Sequence, residues 1–343
     1  MTSAPLPVDS ELPLEDLTAA LLRGRGLAHK RDISEVVGAL QRALPTAGGA
    51  APGAVPIGDD CAAMADGDGY LLFAIEGFVE DFVARLPWFA GYCGVMVNVS
   101  DIYAMGGRPI AVVDALWSRG NETSQPLLDG LSTASARYGV PIVGGHTNHQ
   151  SAHGQLAVAI IGRANKLLTS FNARPGDQLV MAIDLRGAYV EPHPYWNAST
   201  DAPAERLRAD LEVLPGLAED GLCDAAKDIS MAGAIGTTLM LLECSRVGAV
   251  IDIDAIPRPE ARTPLLRWLQ AFPSYGFVLS VRPERVDAVR QRFASRGIAN
   301  AVVGTVTLDP RVRLRRGEQT SMLWDVSTQA LILPQRTAEA VHA

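Results

Sequence analysis

Two adjacent carboxylates stand in the stretch PIGDDCAAM, residues 56–64, where a Gly/Pro loop meets a small apolar run. Asp59 and Asp60 repel each other, and burying either charge without a partner is costly. The pair is compatible with a solvated turn, because Gly-Asp sequences are common in turns. It is also compatible with a cation held between carboxylates, and the motif alone leaves both interpretations open.

A third acid, Asp101, lies in the segment NVSDIYAMGGRP, residues 98–109. On a helix, Asn98 and Asp101 are three residues apart and share a face, among mostly apolar neighbours. An acid in such a buried helix needs a partner, and no basic residue follows until Arg108. A structural salt bridge is one solution, and a divalent cation is the other. Glu76 repeats the pattern in LLFAIEGFV, residues 71–79, where an edge-strand position is the alternative explanation.

Three histidines follow the strand-like segment PIVGG: His146, His149 and His153. Their spacing fits neither a zinc finger nor H-E-x-x-H, and loop histidines are usually solvated. A histidine-based metal hydrolase is therefore disfavoured against a site with hard oxygen ligands. His146 differs from the others because it directly follows a Gly-Gly strand tip, where ligand contacts concentrate.

A glycine-rich helix start lies in KDISMAGAIGTTL, after Lys227 and Asp228, with Ser230 as the predicted N-cap. Gly233 and Gly236 would let a phosphate approach the free N–H groups of that helix. Close packing against small residues explains the same glycines equally well. The sequence contains neither a G-x-x-x-x-G-K-[ST] loop, nor a G-x-G-x-x-G after a strand, nor a G-x-S-x-G elbow.

Composition restricts the class of protein. The chain has 343 residues, is 48% hydrophobic and carries a net charge of −8. This acidity argues against a nucleic-acid surface, and no apolar run reaches the length of a membrane span. The four scattered cysteines favour buried thiols in a reducing compartment, and the N-terminus lacks a signal peptide. These features predict a soluble, cytoplasmic protein.

Helical and strand patterns alternate along the chain and predict a mixed α/β fold. The predicted helices cover 16–22, 32–44, 88–107, 124–139, 203–220 and 230–246; the predicted strands cover 71–79, 110–117, 141–145, 156–164 and 249–254, among others. The turn RPGD near residue 174 marks the start of a second domain. The predicted organisation is an N-terminal arm (1–30), an N-terminal domain (31–170), a C-terminal domain (171–325) and a tail (326–343).

Taken together and in order, these segments resemble the AIR-synthase-related (PurM-like) superfamily, which includes AIR synthase, thiamine-monophosphate kinase, HypE and selenide, water dikinase. The similarity rests on IGDDCAAM, NVSDIYAMGGRP, PIVGGHTN, RPGDQLVMAIDL, KDISMAGAIGTTL and AVVGTV. It implies a two-domain α+β architecture in which the N-terminal sheet forms a homodimer. It also implies an ATP site in which carboxylates hold Mg²⁺ on the phosphates.

Carried onto this sequence, the resemblance implies three overlapping sets of site residues. The implied metal ligands are Asp59, Asp60, Glu76, Asp101 and Asp228. The implied nucleotide and phosphate contacts are Gly58, Asp59, Asp60, Asn98, Gly144, Gly145, His146, Lys227 and Asp228. The implied catalytic residues are Asp60, Asp101 and Lys227.

Departures from the family pattern limit the activity that the resemblance implies. His146 replaces the Asp of the kinase's GGDT motif, and Met231 stands where its S-D-G motif carries an Asp. The C-terminal RTAEAVHA lacks the cysteine of HypE. The expectation is an ATP- and Mg²⁺-dependent small-molecule kinase, or an ATP-dependent ligase or synthase, of unknown substrate. The alternative is a catalytically degenerate nucleotide-binding subunit that regulates or scaffolds a partner enzyme.

Overall fold

The structure is a computed structural model that describes residues 12–43, 55–260 and 263–334. Its α-helices are α1 (Leu14–Leu22), α2 (Arg25–Ala43), α3 (Glu80–Arg85), α4 (Pro87–Ala104), α5 (Asn121–Tyr138), α6 (Ala204–Leu211), α7 (Val213–Glu219), α8 (Gly233–Ser245), α9 (Leu265–Leu269) and α10 (Val286–Ala294). Its β-strands are β1 (Ala62–Asp66), β2 (Gly69–Phe78), β3 (Arg108–Arg119), β4 (Ile142–Asn148), β5 (Gln150–Ala164), β6 (Gln178–Ile183), β7 (Ala188–Tyr189), β8 (Tyr195–Asn197), β9 (Ala225–Asp228), β10 (Gly248–Asp252), β11 (Phe272–Pro273), β12 (Gly276–Val281), β13 (Ala299–Thr307), β14 (Arg311–Arg316) and β15 (Gln319–Asp325).

The predicted mixed α/β class is confirmed, and the described residues form two compact units. The first unit contains residues 55–169 and 199–222, and the second contains the remaining described residues. The chain passes from the first unit to the second between Thr169 and Ser170. The Gly/Pro loop that precedes Asp59 (residues 45–54), the start of the predicted arm and the end of the predicted tail lie outside the described residues.

The first unit is built on a sheet with the strand order β1-β2-β5-β3-β4. Only β3 and β4 run parallel among these pairs. Helix α4 packs on one face, where a Cβ added at Gly94 would lie 2.8 Å from Val158 Cγ2 of β5. Helix α5 approaches α4 through glycines, since a Cβ at Gly91 would lie 2.1 Å from Leu127 O. The other face of the sheet exposes large apolar side chains, among them Met64, Phe73, Ile75 and Val113.

The second unit contains a sheet with the order β15-β14-β10-β13-β6-β12-β9 and a small sheet of β11, β8 and β7. Helix α8 is buried along almost its whole length, in keeping with a sequence in which most residues are small or apolar. Helix α1 adds Leu14, Leu17 and Leu21 to the same core. No helix in the described part of the chain is both long enough and apolar enough to cross a membrane.

Several element boundaries differ from the sequence-based predictions. Residues 25–31, expected to lie outside the second helix, are helical in α2, and residue 44 lies outside the described residues. The helix predicted over 203–220 is divided into α6 and α7 at Glu212. Helix α8 begins only at Gly233, and its N-cap position is Ala232, so the predicted capping by Ser230 is wrong. Strand β4 continues to Asn148 and therefore contains His146 rather than ending before it.

Candidate metal and phosphate site

Asp59 and Asp60 lie in the turn that directly precedes β1. Gly58 has φ of 131°, a left-handed conformation that favours glycine. Asp59 Oδ1 accepts a hydrogen bond from the Asp60 N–H at 3.1 Å, and Oδ2 accepts one from the Thr169 hydroxyl at 2.7 Å. Thr169 could not be predicted from the sequence, because it lies 110 residues from Asp59 and no local pattern connects the two.

Asp60 and Asp101 come together in the first unit. Each places a carboxylate oxygen within 4.8 Å of the other, and Asp101 is only 5% exposed on α4. Two carboxylates at this separation repel each other unless a cation or a shared proton compensates them. In the described part of the chain, neither Asp59 nor Glu76 places an oxygen within that distance of both. The structure therefore brings together two of the predicted metal ligands of this unit.

The Arg108 side chain is engaged elsewhere. Its guanidinium donates to Glu212 at 2.9 Å and to both carboxylate oxygens of Glu219, at 2.7 and 3.2 Å. These bonds are formed near the end of α4, where Tyr103 also donates to Glu212 at 3.2 Å. The nearest basic residue in the sequence is thus a structural anchor of α7, and it does not supply the salt bridge considered for Asp101.

Asn98 lies one helical turn before Asp101 and is 0% exposed. Its Nδ2 donates to the Gly94 carbonyl at 2.8 Å and to the Val158 carbonyl at 3.0 Å. Its Oδ1 is buried, and no donor among the described residues reaches it. Asn98 therefore links α4 to β5 through its amino group and presents an unsatisfied acceptor inside the first unit.

Glu76 and Asp114 flank the same residue of β5. Glu76 of β2 and Asp114 of β3 both stand opposite Val158, so all three side chains share the face on which α4 packs. The edge-strand explanation for Glu76 does not apply, because β2 lies between β1 and β5. Glu76 thus occupies an interior strand on the helix side of the sheet.

Asp114 was not identified from the sequence, although an acid inside the apolar run IAVVDALW was the available signal. It stands opposite Gly145 of β4, where an added Cβ would lie 2.9 Å from Asp114 Oδ2. The glycine leaves room for the carboxyl group. Partial burial raises the pKa of Asp114, because desolvation disfavours its charged form.

His146 lies on the opposite face of the sheet from Asp114. It stands opposite Ala115, and successive residues of a strand alternate between faces. The His146 side chain is exposed, and its ring centroid lies 6.1 Å from that of Trp117. Gly144 and Gly145 precede it in the exposed strand β4.

The other two histidines have separate partners. His149 Nδ1 lies 2.8 Å from the Ser118 hydroxyl, and His153 Nδ1 lies 2.7 Å from Glu80 Oε1. Within the described residues, no histidine joins a group of potential metal ligands. The structure therefore gives no support to a histidine metal centre.

Lys227 and Asp228 belong to the second unit, at the end of strand β9. Both are buried, and they stand opposite Val278 and Phe277 of β12. Helix α8 follows after a short turn that contains the exposed Met231. The structure thus places the two charged residues just before the glycine-rich helix, as the sequence order requires.

The glycines of α8 serve close packing. Gly233 has φ of 69°, and an added Cβ would lie 2.2 Å from the Leu269 carbonyl oxygen. A Cβ at Gly236 would lie 2.6 Å from Ala232 Cβ and 3.2 Å from Leu27 Cδ1. Of the two explanations left open by the sequence, packing accounts for both positions without a ligand.

Two relatives illustrate the sequence similarity. The chain is 47% identical over 319 residues to an uncharacterized protein of Synechocystis sp., covering 93% of this chain and 98% of that protein. It is 28% identical over 291 residues to the phosphoribosylformylglycinamidine synthase subunit PurL of Methanosarcina mazei, covering 76% of this chain and 40% of PurL.

Solved structures share the fold. Thermotoga maritima PurL, complexed with ATP, matches with a TM-score of 0.67 at 20% identity over 80% of this chain and 47% of PurL. AaThiL, complexed with AMPPCP and TMP, matches with a TM-score of 0.63 at 17% identity over 84% of this chain and 96% of AaThiL. The chain thus spans about half the length of the PurL structure that it matches.

Two family patterns match consecutive parts of the chain. The N-terminal domain of AIR synthase related proteins matches residues 58–164, and the C-terminal domain matches residues 192–317. These two matches confirm the resemblance to this superfamily that the sequence motifs indicated. The chain belongs to the AIR-synthase-related family.

Proposed function

We propose that this protein is an ATP- and Mg²⁺-dependent enzyme that phosphorylates or otherwise activates an oxygen of a small molecule. Its reaction would be that of a kinase, or of an ATP-dependent ligase or synthase. The observation that carries the proposal is the proximity of Asp60 and Asp101 in the first unit. The family membership supports it, as do the fold neighbours solved with ATP or AMPPCP.

The donor set fits a hard divalent cation. Asp60 and Asp101 offer carboxylate oxygens, the ligands that Mg²⁺ prefers, and the buried Oδ1 of Asn98 adds an unsatisfied acceptor one helical turn away. Asp60 and Asp101 would hold the ion. The resemblance adds Asp59, Glu76 and Asp228 as further ligands, and these remain sequence-based proposals.

A bound Mg²⁺ would neutralise phosphate charge and so stabilise the transferring phosphoryl group. The chain's own residues would supply positioning. Helix α4 fixes Asp101 by packing on the sheet, and the Thr169 hydroxyl orients the carboxylate of Asp59. We propose that Lys227 donates to a phosphoryl oxygen. We further propose phosphate contacts by Gly58, Gly144, Gly145, His146 and Asp228.

The proposal is tested by thermal unfolding of the purified chain with AMPPCP, in the presence and absence of Mg²⁺. We expect a Mg²⁺-dependent rise in Tm, because a ligand that binds only the folded state stabilises it. The rise should disappear in Asp60→Asn/Asp101→Asn and persist in the control Asp129→Asn, which alters an exposed acid of α5. Absence of any nucleotide- or metal-dependent shift in the unaltered protein would contradict the proposal.

A nucleotide-binding subunit without catalysis is the second candidate. The observation that favours it is the pair of replacements at His146 and Met231, where the thiamine-monophosphate kinase pattern has Asp. A screen of small-molecule acceptors with ATP and Mg²⁺ separates the two. Nucleotide binding without turnover on any acceptor would favour the subunit, whereas ADP release that depends on one acceptor would favour the enzyme.

We also propose a homodimer formed through the exposed apolar face of the first unit's sheet, which carries Phe73, Ile75 and Val113. A continuous apolar surface of this kind favours burial against a partner. We propose a cytoplasmic location because all four cysteines are free and buried, the state that is usual for thiols in a reducing compartment.

A further inference from the structure

The side chain of Asn98 has a fixed orientation and an incomplete set of hydrogen bonds. Its amide donates both of its N–H hydrogens, one to the carbonyl oxygen of Gly94 and one to that of Val158. Reversing the amide would turn Oδ1 toward two acceptors, so the bonding pattern itself determines which atom is which. The remaining atom, Oδ1, is buried and receives no hydrogen bond from the described residues.

This arrangement is unsuited to the phosphate contact that the resemblance assigns to Asn98. Phosphate oxygens are acceptors, and Asn98 has no N–H left to donate to them. A phosphate placed against Oδ1 would bring two acceptors together. The group that satisfies Oδ1 must therefore be a donor.

A donor of the right kind comes with a hydrated cation. Asn98 and Asp101 lie three residues apart on α4, a spacing that brings their side chains together, and Asp101 lies beside Asp60. Mg²⁺ usually retains several water ligands in proteins, and each of these is a strong hydrogen-bond donor. We infer that Asn98 is a positioning residue whose Oδ1 accepts a hydrogen bond from a water on the cation held by Asp60 and Asp101. This inference rests on the proposed function.

The bonds to Gly94 and Val158 hold Oδ1 in a fixed position, because they fix the amide between α4 and β5 before any ion binds. Groups that orient the ligands of a metal typically change its affinity by 10- to 100-fold when they are removed. The same bonds also give Asn98 a structural role. A useful experiment must therefore separate loss of the acceptor from loss of the α4–β5 contact.

The test is titration of the full chain with Mn²⁺ alone, followed by the electron paramagnetic resonance signal of the free ion. In Asn98→Leu, which removes the acceptor, we expect the Kd for Mn²⁺ to rise by about tenfold or more. The matched control is Gly94→Ala, whose added Cβ would lie 2.8 Å from Val158 Cγ2. It disturbs the same helix–strand contact and leaves Oδ1 in place, so Tm should fall while the Kd stays unchanged.

If Asn98→Leu does not fold, Asn98→Ser replaces it. Serine can still bond the carbonyl four residues earlier, but its shorter side chain withdraws the acceptor, and the same rise in Kd is expected. An unchanged Kd in the folded variant, or an equal rise in Gly94→Ala, would overturn the inference. Failure of the proposed function is distinguishable: the unaltered protein would then bind no Mn²⁺, or its binding would survive Asp60→Asn/Asp101→Asn.

Discussion

Acids in apolar surroundings are the residue-scale signature of the first unit. Asp101 interrupts a buried helix, and Glu76 and Asp114 interrupt interior strands. Burying each charge costs desolvation free energy that an apolar side chain would avoid. Its presence therefore indicates a role other than packing the core. Acids in such surroundings are common at functional sites and in structural ion pairs.

Asp114 offers a stability test at this scale. Because its folded pKa is raised, its contribution to stability is fully present below its unfolded pKa and is lost as the pH rises through the folded pKa. At neutral pH the ionised group therefore costs folding free energy, and Asp114→Asn should raise Tm at pH 7. The gain should diminish as the pH falls through the raised folded pKa and should be absent once the pH reaches the ordinary pKa of an aspartate.

The measurement is thermal unfolding of Asp114→Asn and the unaltered protein from pH 4 to pH 8. Asp129→Asn, on the exposed face of α5, serves as the matched acid-to-amide control and should show little change. A variant that is less stable than the unaltered protein at pH 7 would show that ionised Asp114 contributes a favourable interaction.

The sequence was informative about single residues where a short motif contained them. Two motifs each indicated a candidate acid, Asp60 and Asp101, and the family resemblance assigned both to one site. Thr169 could not be predicted, because its bond to Asp59 depends on chain folding over 110 residues. The hydrogen bonds of the Asn98 amide could not be predicted either, because Val158 lies 60 residues further along the chain.

At the scale of elements, glycine sets how closely helices approach their neighbours. Gly91 lets α4 contact α5, and Gly233 lets the start of α8 contact the carbonyl of Leu269. In both cases an added Cβ would lie within 2.2 Å of a backbone oxygen, which cannot rotate away. These positions should therefore be intolerant of any side chain.

Gly233→Ala tests this account of α8. The left-handed conformation would cost about 1–2 kcal/mol for alanine, and the clash with Leu269 O would add about 1–3 kcal/mol as overpacking. Gly176→Ala is the matched control in the same unit, because Gly176 has φ of 95° but nothing within 4 Å of an added Cβ. It should show the conformational cost alone.

Urea unfolding of the two variants measures the difference. We expect Gly233→Ala to lose more free energy of unfolding than Gly176→Ala, because only the first adds a steric clash. Equal losses would mean that the turn before α8 shifts enough to relieve the contact, and that the glycine serves only its backbone conformation.

Element types were easier to predict from the sequence than element ends. The division between α6 and α7 is explained by Pro215, which lacks the N–H that would bond the Leu211 carbonyl in a continuous helix. This local signal was available. The extension of β4 through His146 was harder to predict, because it depends on pairing with β3 and its residues show no pattern typical of a strand.

At the scale of the whole molecule, the first unit is discontinuous in sequence. Residues 199–222 belong with 55–169, and the bonds of Arg108 to Glu212 and Glu219 join the two segments. A sequence pattern predicts which segments form helices, but not the sheet against which each helix packs. The two consecutive family matches likewise describe the order of homologous segments rather than their packing.

The proposed homodimer can be disrupted by a single substitution in the exposed apolar face of the first unit's sheet. Ile75 is 64% exposed in the middle of β2, on the apolar face opposite α4, and a lysine there would place a charge in the proposed interface. Ile75→Lys should therefore convert a dimer into a monomer, as measured by size-exclusion chromatography with light scattering. Leu308→Lys is the control, because Leu308 is 83% exposed in the second unit and lies outside that face. It should leave the dimer intact.

Two results would count against this interface. A monomeric unaltered protein would contradict the proposed homodimer. Dissociation by both variants would show that the effect of lysine is not specific to this face of the sheet.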